Sequence, residues 1–341
     1  MKKSLITLGV LTLFVLIAYG QEKKFALYSV AFYNMENLFD TIHDEGKNDY
    51  EYLPNGTNQW NTMKYKAKLK NMSEILSMLS TDKLPMGPAI IGVSEIENYR
   101  VLEDILKQPV LADRGYQYVH YEGADQRGVD CAFFYNPKLF ELTNSKLVPY
   151  VYINDTVHKT RGFLIASGNI AGEKMHFIVN HWPSRAAASP ARERAGEQVR
   201  AIKDSLLRED SAAKIVIMGD MNDDPMDKSM AVALGAKRKP ADVGPTDLYN
   251  PWWDTLKKGY GTLMYKGKWN LFDQIVFTGN LLGTDRSTLK FYKHEIFRRD
   301  FMFQKEGKYK GYPKRTQAGG VWLNGYSDHL PTIIYLIKEV K

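Results

Sequence analysis

A single cysteine, Cys131, serves a chain of 341 residues. No internal disulfide can form, so stability has to come from a packed core, which a chain this long can build. Cys131 sits in the apolar run Val129–Tyr135, where a thiol reads as a small buried hydrophobe ahead of a nucleophile. Histidine is also scarce, with seven residues against 39 aspartates and glutamates. Beyond the N-terminus there is no second long apolar run, so the mature chain is expected to be soluble. Short repeats and low-complexity linkers are missing too, and nothing marks a boundary between domains.

The one long apolar stretch, Leu5–Ile17, follows the basic Met1-Lys2-Lys3 and precedes Ala18-Tyr19-Gly20. This is the layout of a cleaved secretory signal, with the cut expected before Gln21. The run is short for a bilayer span, which needs about 20 residues; an uncleaved anchor is the alternative. No cysteine stands directly after it, which argues against a lipid-anchored form. The expectation is an exported protein, periplasmic or extracellular, with one domain over residues 21–341. Loss of Lys2 and Lys3 takes the net charge from +7 to +5. That mildly basic balance is compatible with anionic partners and speaks to steering, not to fold.

Apolar runs that end abruptly in polar residues recur along the chain. Phe25–Tyr33 ends at Asn34, Ala89–Val93 near Glu95, Met175–Val179 at Asn180 and His181, and Ile215–Met218 at Gly219 and Asp220. Phe272–Thr278 carries Asp273 at its start. Such runs read as strands with at least one buried face. Between them, Leu69, Met72, Leu76 and Leu79 share one face at helical spacing, as do Ala195, Val199, Ile202 and Leu206. Leu102, Ile105 and Leu106 make a shorter third set. Strands with amphipathic covering helices indicate an α/β or α+β domain with the helices outside.

Two segments read as loops on that core. Asp40–Trp60 is polar, with the turn signal Pro54-Asn55-Gly56. Residues 285–315 hold ten Lys or Arg against four Asp or Glu, interleaved with aromatics. Such a mixture either tracks a nucleic-acid backbone and stacks bases, or is a surface element whose rings face the core. Trp252-Trp253 is open in the same way, between core packing and a membrane interface.

Six clusters place acids, amides and imidazoles beside strand ends: Tyr33-Asn34-Met35-Glu36-Asn37, Val93-Ser94-Glu95, Asn180-His181-Trp182-Pro183, Gly219-Asp220-Met221-Asn222, Leu271-Phe272-Asp273-Gln274 and Ser327-Asp328-His329. Each alone is weak, because carboxylates are ordinarily solvated surface groups. Positions just after apolar runs converge at one edge of a sheet, and converging carboxylates repel unless a cation or shared protons compensate. Oxygen donors with few histidines suit Mg2+, Mn2+ or Ca2+ better than zinc. A calcium-binding loop at Asp220–Asp224 is excluded: its sixth position is Pro225, not Gly, and its twelfth is Ala231, not Glu.

In order and spelling these clusters resemble the endonuclease/exonuclease/phosphatase superfamily, from Asn34 to His329. Gly219-Asp220-Met221-Asn222 and Ser327-Asp328-His329 are the most specific pieces. The resemblance implies a four-layer sandwich: two mixed β-sheets face to face, helices on both outer surfaces, catalytic groups at one end. It implies that Glu95 is the main metal-binding carboxylate, with Asn34, Glu36 and Asp328 helping to hold Mg2+ or Mn2+. Asp220 and Asn222 match the pair that orients the attacking water. Asp273 matches the partner of His329, which contacts the phosphate or handles the proton of the nucleophile. His181 matches the second histidine of deoxyribonuclease-like members; abasic-site endonucleases do not carry it, so the chain departs from that branch. Arg185, four residues beyond, either grips phosphate or is a solvated residue before the following helix.

The expected activity is metal-assisted hydrolysis of a phosphoester by water, with nucleic acid as first substrate. A phosphatase or phospholipid phosphodiesterase of sphingomyelinase or inositol-phosphatase type is the alternative. A binding protein with a dead site is the second, and every expected catalytic position being filled speaks against it. No obligate protein partner is inferred.

Overall fold

A computed structural model describes residues 23–153, 155 and 157–340. The expected export signal lies outside the described residues. β1 (Lys24–Leu38), β2 (Ile90–Ile96), β3 (Gln117–His120) and β4 (Asp130–Tyr135) belong to a first sheet. β5 (Glu141–Val148), β6 (Phe163–Ile170), β7 (Glu173–His181), β8 (Lys214–Asp220), β9 (Ala236–Lys237) and β10 (Leu248–Tyr249) belong to a second. β11 (Leu263–Tyr265) and β12 (Lys268–Asn270) form a separate hairpin. β13 (Asp273–Thr278) returns to the second sheet and β14 (Lys290–Ile296) to the first. β15 (Gln317–Ala318) and β16 (Val321–Trp322) pair with each other, and β17 (Thr332–Val340) completes the first sheet. The first sheet runs β14-β17-β1-β2-β4-β3 and the second β5-β6-β7-β8-β13-β10-β9.

Side-chain alternation makes these sheets the middle layers of four. On β1, Val30 and Phe32 point between the sheets, where they meet Phe177 and Val179 of β7 and Val216 and Met218 of β8. The intervening Ala31, Tyr33 and Met35 point outward, under α1 (Thr62–Met78) and α2 (Tyr99–Leu106). The outer face of the second sheet carries Ile178, Ile215 and Ile217 and is covered by α4 (Ser189–Glu209), the helix that follows the four-residue α3 (Pro109–Ala112) in the chain. Each large apolar side chain so buried contributes about 1.5–3 kcal/mol, which is how the fold dispenses with disulfides. Asn61 and Asn98 start α1 and α2 by accepting backbone N–H bonds, each satisfying a donor that a helix terminus leaves free. The expected apolar faces of the helices are the faces that pack, and the four-layer sandwich expected from the resemblance is the fold observed.

Strand direction explains why the polar clusters meet. β1 and β2 are parallel, as are β7 and β8, so Asn34, Glu95, His181 and Asp220 all stand at C-terminal ends. β13 runs antiparallel to β8, and β17 antiparallel to β1. Their first residues therefore begin at that same edge, with Asp273 opposite Asp220 in register. Gly219 lets the edge close, since a Cβ there would lie 2.3 Å from the Asn180 carbonyl oxygen. Gly219→Ala is expected to destabilise the fold by about 1–3 kcal/mol, the usual range for overpacking, read as a lower denaturant midpoint in a chemical melt.

The 285–315 segment is more than a loop, because it contains β14, paired antiparallel with β17. Lys290 and Lys293 on this strand disguise it in the sequence; lysine is what natural edge strands carry to prevent further pairing. Its aromatics divide between core and surface. Phe297 is buried, and Phe301 and Phe303 pack partly on the core, whereas Tyr292 and Tyr309 are exposed. Trp252 is fully buried and donates its indole N–H to the Ile275 carbonyl at 2.9 Å, so it is a core residue and not part of a membrane-facing rim. Among the described residues no helix is long and apolar enough to cross a membrane.

Candidate active site

Four residues at the gathered edge have left-handed backbone: Glu36 (φ 45°), Asn37 (φ 52°), Glu95 (φ 58°) and Asn222 (φ 52°). Asparagine tolerates this region, but a longer side chain with a Cβ pays for it, and such residues cluster where function fixes the geometry. The turn at the end of β1 aims the Asn37 N–H at Glu95 Oε2, 2.9 Å away. Asn34 then bridges the two sheets. Its amide donates to Glu95 Oε1 at 3.2 Å and to Asp220 Oδ2 at 3.0 Å.

Around that bridge stand two imidazoles. His181 Nε2 lies 3.6 Å from Glu95 Oε1 and 3.7 Å from Asp220 Oδ2. His329 Nε2 lies 3.8 Å from the same Asp220 oxygen, and its Nδ1 is 2.7 Å from Asp273 Oδ2. Asp220 Oδ1 accepts the Asn222 N–H at 2.9 Å, and the Asn222 amide donates to the Trp182 carbonyl at 3.1 Å. The Ser327 hydroxyl donates to the Asn34 carbonyl, tying the segment before His329 to β1.

The two histidines differ in charge preference. Burial pushes His181 well below the ordinary imidazole value, and the Arg161 and Arg127 guanidiniums add to that. Burial also disfavours charge on His329, but Asp273, Asp220 and Asp328 outweigh it and hold the ring well above the ordinary value. Asp220 is raised to about 7, chiefly by burial, with His329 opposing and Asp273 and Glu95 reinforcing. Pairs of titratable groups driven apart in this way mark acid and base assignments.

The expected metal ligands reach one end but not in equivalent states. The Glu95 side chain is partly exposed, and among the described residues its one ion-pair partner is His181. Glu36 and Asp328 instead share a guanidinium: Arg315 donates to Glu36 Oε1 and to Asp328 Oδ2, each at 2.8 Å. Glu36 also accepts the Thr316 N–H at 2.6 Å and lies 3.8 Å from the fully buried Lys68 ammonium. Burial and then Asp328 raise the Glu36 carboxyl to about 7 against the pull of Lys68 and Arg315. Lys68→Met would leave that buried acid with one fewer counter-charge, a change that costs about 3 kcal/mol or more when a buried pair is broken. The expected loss is measurable by denaturant titration. The donor set of Glu95, Asn34 and Asp220, with Glu36 and Asp328 alongside, is oxygen-rich and suits a hard divalent cation. Ligand atoms of Glu95, His181 and Asp220 already lie within 4.8 Å of one another.

Arg185 does not stand free for phosphate. Its guanidinium donates to the Asn222 carbonyl at 3.1 Å and to Asp227 at 2.8 Å, and it lies over the Phe272 ring. The acids of the Asp223–Asp227 turn are what engage it. Glu97 is buried, accepting the Asp40 N–H. Cys131 is buried as expected, its thiol pushed far up by burial. Lys68, Thr316 and Arg161 were not foreseen; Arg161 is buried, paired with Asp125 and bonded to the Trp182 carbonyl. A lone lysine in an amphipathic helix gives no local sign of being buried.

A cavity of about 1100 Å³ opens beside Glu36, Asn37 and Asp328, walled by the β11–β12 hairpin and the 304–323 segment.

A family model described as Endonuclease/Exonuclease/phosphatase family matches residues 29–338. No curated protein matches the chain in sequence. Among solved structures, an endonuclease/exonuclease/phosphatase family protein from Bacteroides thetaiotaomicron is 14% identical, with TM-score 0.58, covering 94% of this chain and 98% of its own. Mannosyl-6-phosphatase from B. thetaiotaomicron is 14% identical, TM-score 0.56, covering 91% and 99%. TDP2 from D. rerio, complexed with single strand DNA product, is 14% identical, TM-score 0.54, covering 91% and 99%. The match over nearly the whole chain agrees with the sandwich and with the edge that gathers its polar clusters: the chain belongs to the endonuclease/exonuclease/phosphatase family, whose chemistry is metal-dependent hydrolysis of phosphoesters.

Proposed function

We propose that the chain is an exported phosphodiesterase that cleaves nucleic acid with the help of a divalent cation, Mg2+ or Mn2+. One observation carries the reading: two imidazoles of opposite charge preference flank a single carboxylate oxygen, Asp220 Oδ2, at 3.7 and 3.8 Å. Hydrolysis of a diester needs a proton taken from water and charge met on the departing oxygen, and a positioned acid or base contributes about 10²–10⁴ in rate.

In this reading Asp220 orients the attacking water and takes its proton, its own carboxylate held by Asn34 and by the Asn222 N–H. His329, kept protonated by Asp273, contacts a phosphate oxygen. His181, driven toward the neutral form, lies on the other side of Asp220 and faces the departing group. Glu95 with Asn34 would hold the cation, with Glu36 and Asp328 beside them; a bound divalent ion supplies charge neutralisation on the phosphate and on the leaving oxygen. Positioning and electrostatics then do most of what remains. The mildly basic balance, +7 over the whole chain, favours a polyanionic substrate.

Among proteins of similar fold, TDP2 was captured with a single strand DNA product and another is a mannosyl-6-phosphatase, so both diester and monoester substrates belong in the test. The purified chain is assayed on single- and double-stranded DNA, RNA, sphingomyelin, inositol phosphates, sugar phosphates and a chromogenic phosphodiester, with Mg2+, Mn2+, Ca2+ or chelator. Metal-dependent cleavage of nucleic acid supports the reading. Turnover confined to monoesters or lipid keeps the family chemistry and overturns the substrate. Export, with residues 1–20 removed and residues 21–341 acting as one domain, is part of the proposal. N-terminal mass spectrometry of the protein recovered outside the cytoplasm should begin at Gln21, and an intact Met1 there would refute cleavage.

A further inference from the structure

The cavity beside the catalytic edge is built differently from the edge itself. Acids line it at Glu36, Glu51 and Asp328, and away from Glu36 and Asp328 its wall also carries five aromatic rings and the two lysines Lys266 and Lys308. Tyr52, Tyr265, Tyr309 and Tyr312 line it with Trp60 at the base. Tyr265 and Tyr309 are 61% and 52% exposed, far more than core packing would leave them. Lys266 lies 5.3 Å from the Tyr265 ring and Lys308 5.5 Å from the Tyr309 ring, so each exposed ring carries a cation beside it.

These walls are braced. The Gly267 N–H, in the turn of the β11–β12 hairpin, donates to the Tyr312 hydroxyl at 2.6 Å, locking hairpin to loop. Tyr309 and Tyr312 pack edge to face at 5.3 Å. Arg298 sits 5.0 Å from both the Trp269 and Phe303 rings, joining the base of the hairpin to the 298–303 segment. A second groove of about 400 Å³ is lined by Arg298, Arg299, Lys305 and Lys310 with Asp300, and Gln304 lines both spaces.

We propose that this cavity holds the unpaired bases of a single-stranded polynucleotide next to the scissile phosphate, and that the adjoining basic groove follows its backbone. The inference rests on the nuclease reading and narrows it. Stacking on an aromatic wall requires a base whose face is free, and in a duplex both faces are covered by neighbouring pairs. Cations interleaved with the rings meet the phosphates that link successive bases. The volume exceeds what one sugar phosphate would fill, since pockets of about 300–1,000 Å³ take whole drug-sized ligands. A monoester would also leave the basic groove without a counterpart.

The test is binding by the full chain in chelator, so that nothing is cleaved, read by fluorescence anisotropy. The probes are labelled oligothymidylate, an abasic oligomer of the same length and charge, and a blunt hairpin duplex. Oligothymidylate should bind about ten-fold or more tightly than either of the others. Tyr265→Ala combined with Tyr309→Ala should remove most of that advantage, and Tyr265→Phe with Tyr309→Phe should retain it. Both residues are exposed, Tyr265 at the end of β11 and Tyr309 in a turn, and the phenylalanine pair separates loss of stacking from loss of fold. Equal binding of the abasic oligomer, or preference for the duplex, overturns the proposal. Metal-dependent cleavage of duplex alone would overturn it while the nuclease reading stands. Failure to bind or cleave any nucleic acid would remove both.

Discussion

His329→Ala is expected to lower kcat for phosphodiester hydrolysis by about 10²–10⁴-fold, with the fold and the affinity for metal retained. The ring is buried and clamped from one side only. Nδ1 meets Asp273 at 2.7 Å, leaving Nε2 facing Asp220 and Asp328 at 3.8 and 3.9 Å. Asp273 is fully buried at the start of β13, so its orientation is fixed by the sheet. Raising the pKa of His329 makes the charged ring the resident form, and activity that depends on it falls as pH rises through that raised value. Asp273→Asn removes the chief electrostatic support, so the fall moves to lower pH and the variant loses more at pH 8 than at pH 6. The sign for stability is the same. The contribution of the pair is fully present below the ordinary imidazole value of about 6.5 and is lost as pH rises through the folded value. A pH–rate profile of Asp273→Asn that superimposes on the wild type would show that Asp273 does not hold the charge on His329.

Much of this site is legible in the amino-acid order itself, because strand ends leave a signature that survives in one dimension. An apolar run stopping at Asn34, His181 or Asp220 reports both a buried strand and the polar group at its tip. The family resemblance adds what local pattern cannot, namely that these tips share one edge; the parallel pairing of β1 with β2 and β7 with β8 is the physical reason. What stays hidden depends on contacts remote in sequence. Arg315 reaches Glu36 across 279 positions, and Lys68 reaches Tyr326 across 258. Neither pairing leaves a local periodicity. Arg185 is left open in the sequence, between phosphate and solvent, because the acids that hold it are some forty residues on, at Asp224 and Asp227. Edge strand β14 is masked by its own lysines.

Those hidden contacts also set what to expect of the metal. Glu36 and Asp328 share Arg315, whereas Glu95 has bonds from the Asn34 amide and the Asn37 N–H and, among the described residues, no guanidinium or ammonium among its ion pairs. Glu95→Ala is therefore expected to weaken binding of Mn2+, followed by calorimetry or by its paramagnetic signal, and to reduce hydrolysis by about a thousand-fold. That size corresponds to roughly four kcal/mol, in the range a metal contributes to stabilising charge in a transition state. Alanine keeps a Cβ at the same positive φ, so backbone strain is unchanged and the loss reports the carboxylate. His329→Ala should leave Mn2+ affinity close to wild type, which separates the two roles by a readout other than turnover. Combining both changes should cost little more than the larger single change, because groups that act on one transition state are not additive. Wild-type Mn2+ affinity in Glu95→Ala would move the cation to the Glu36–Asp328 side, where Arg315 would have to be displaced to admit it.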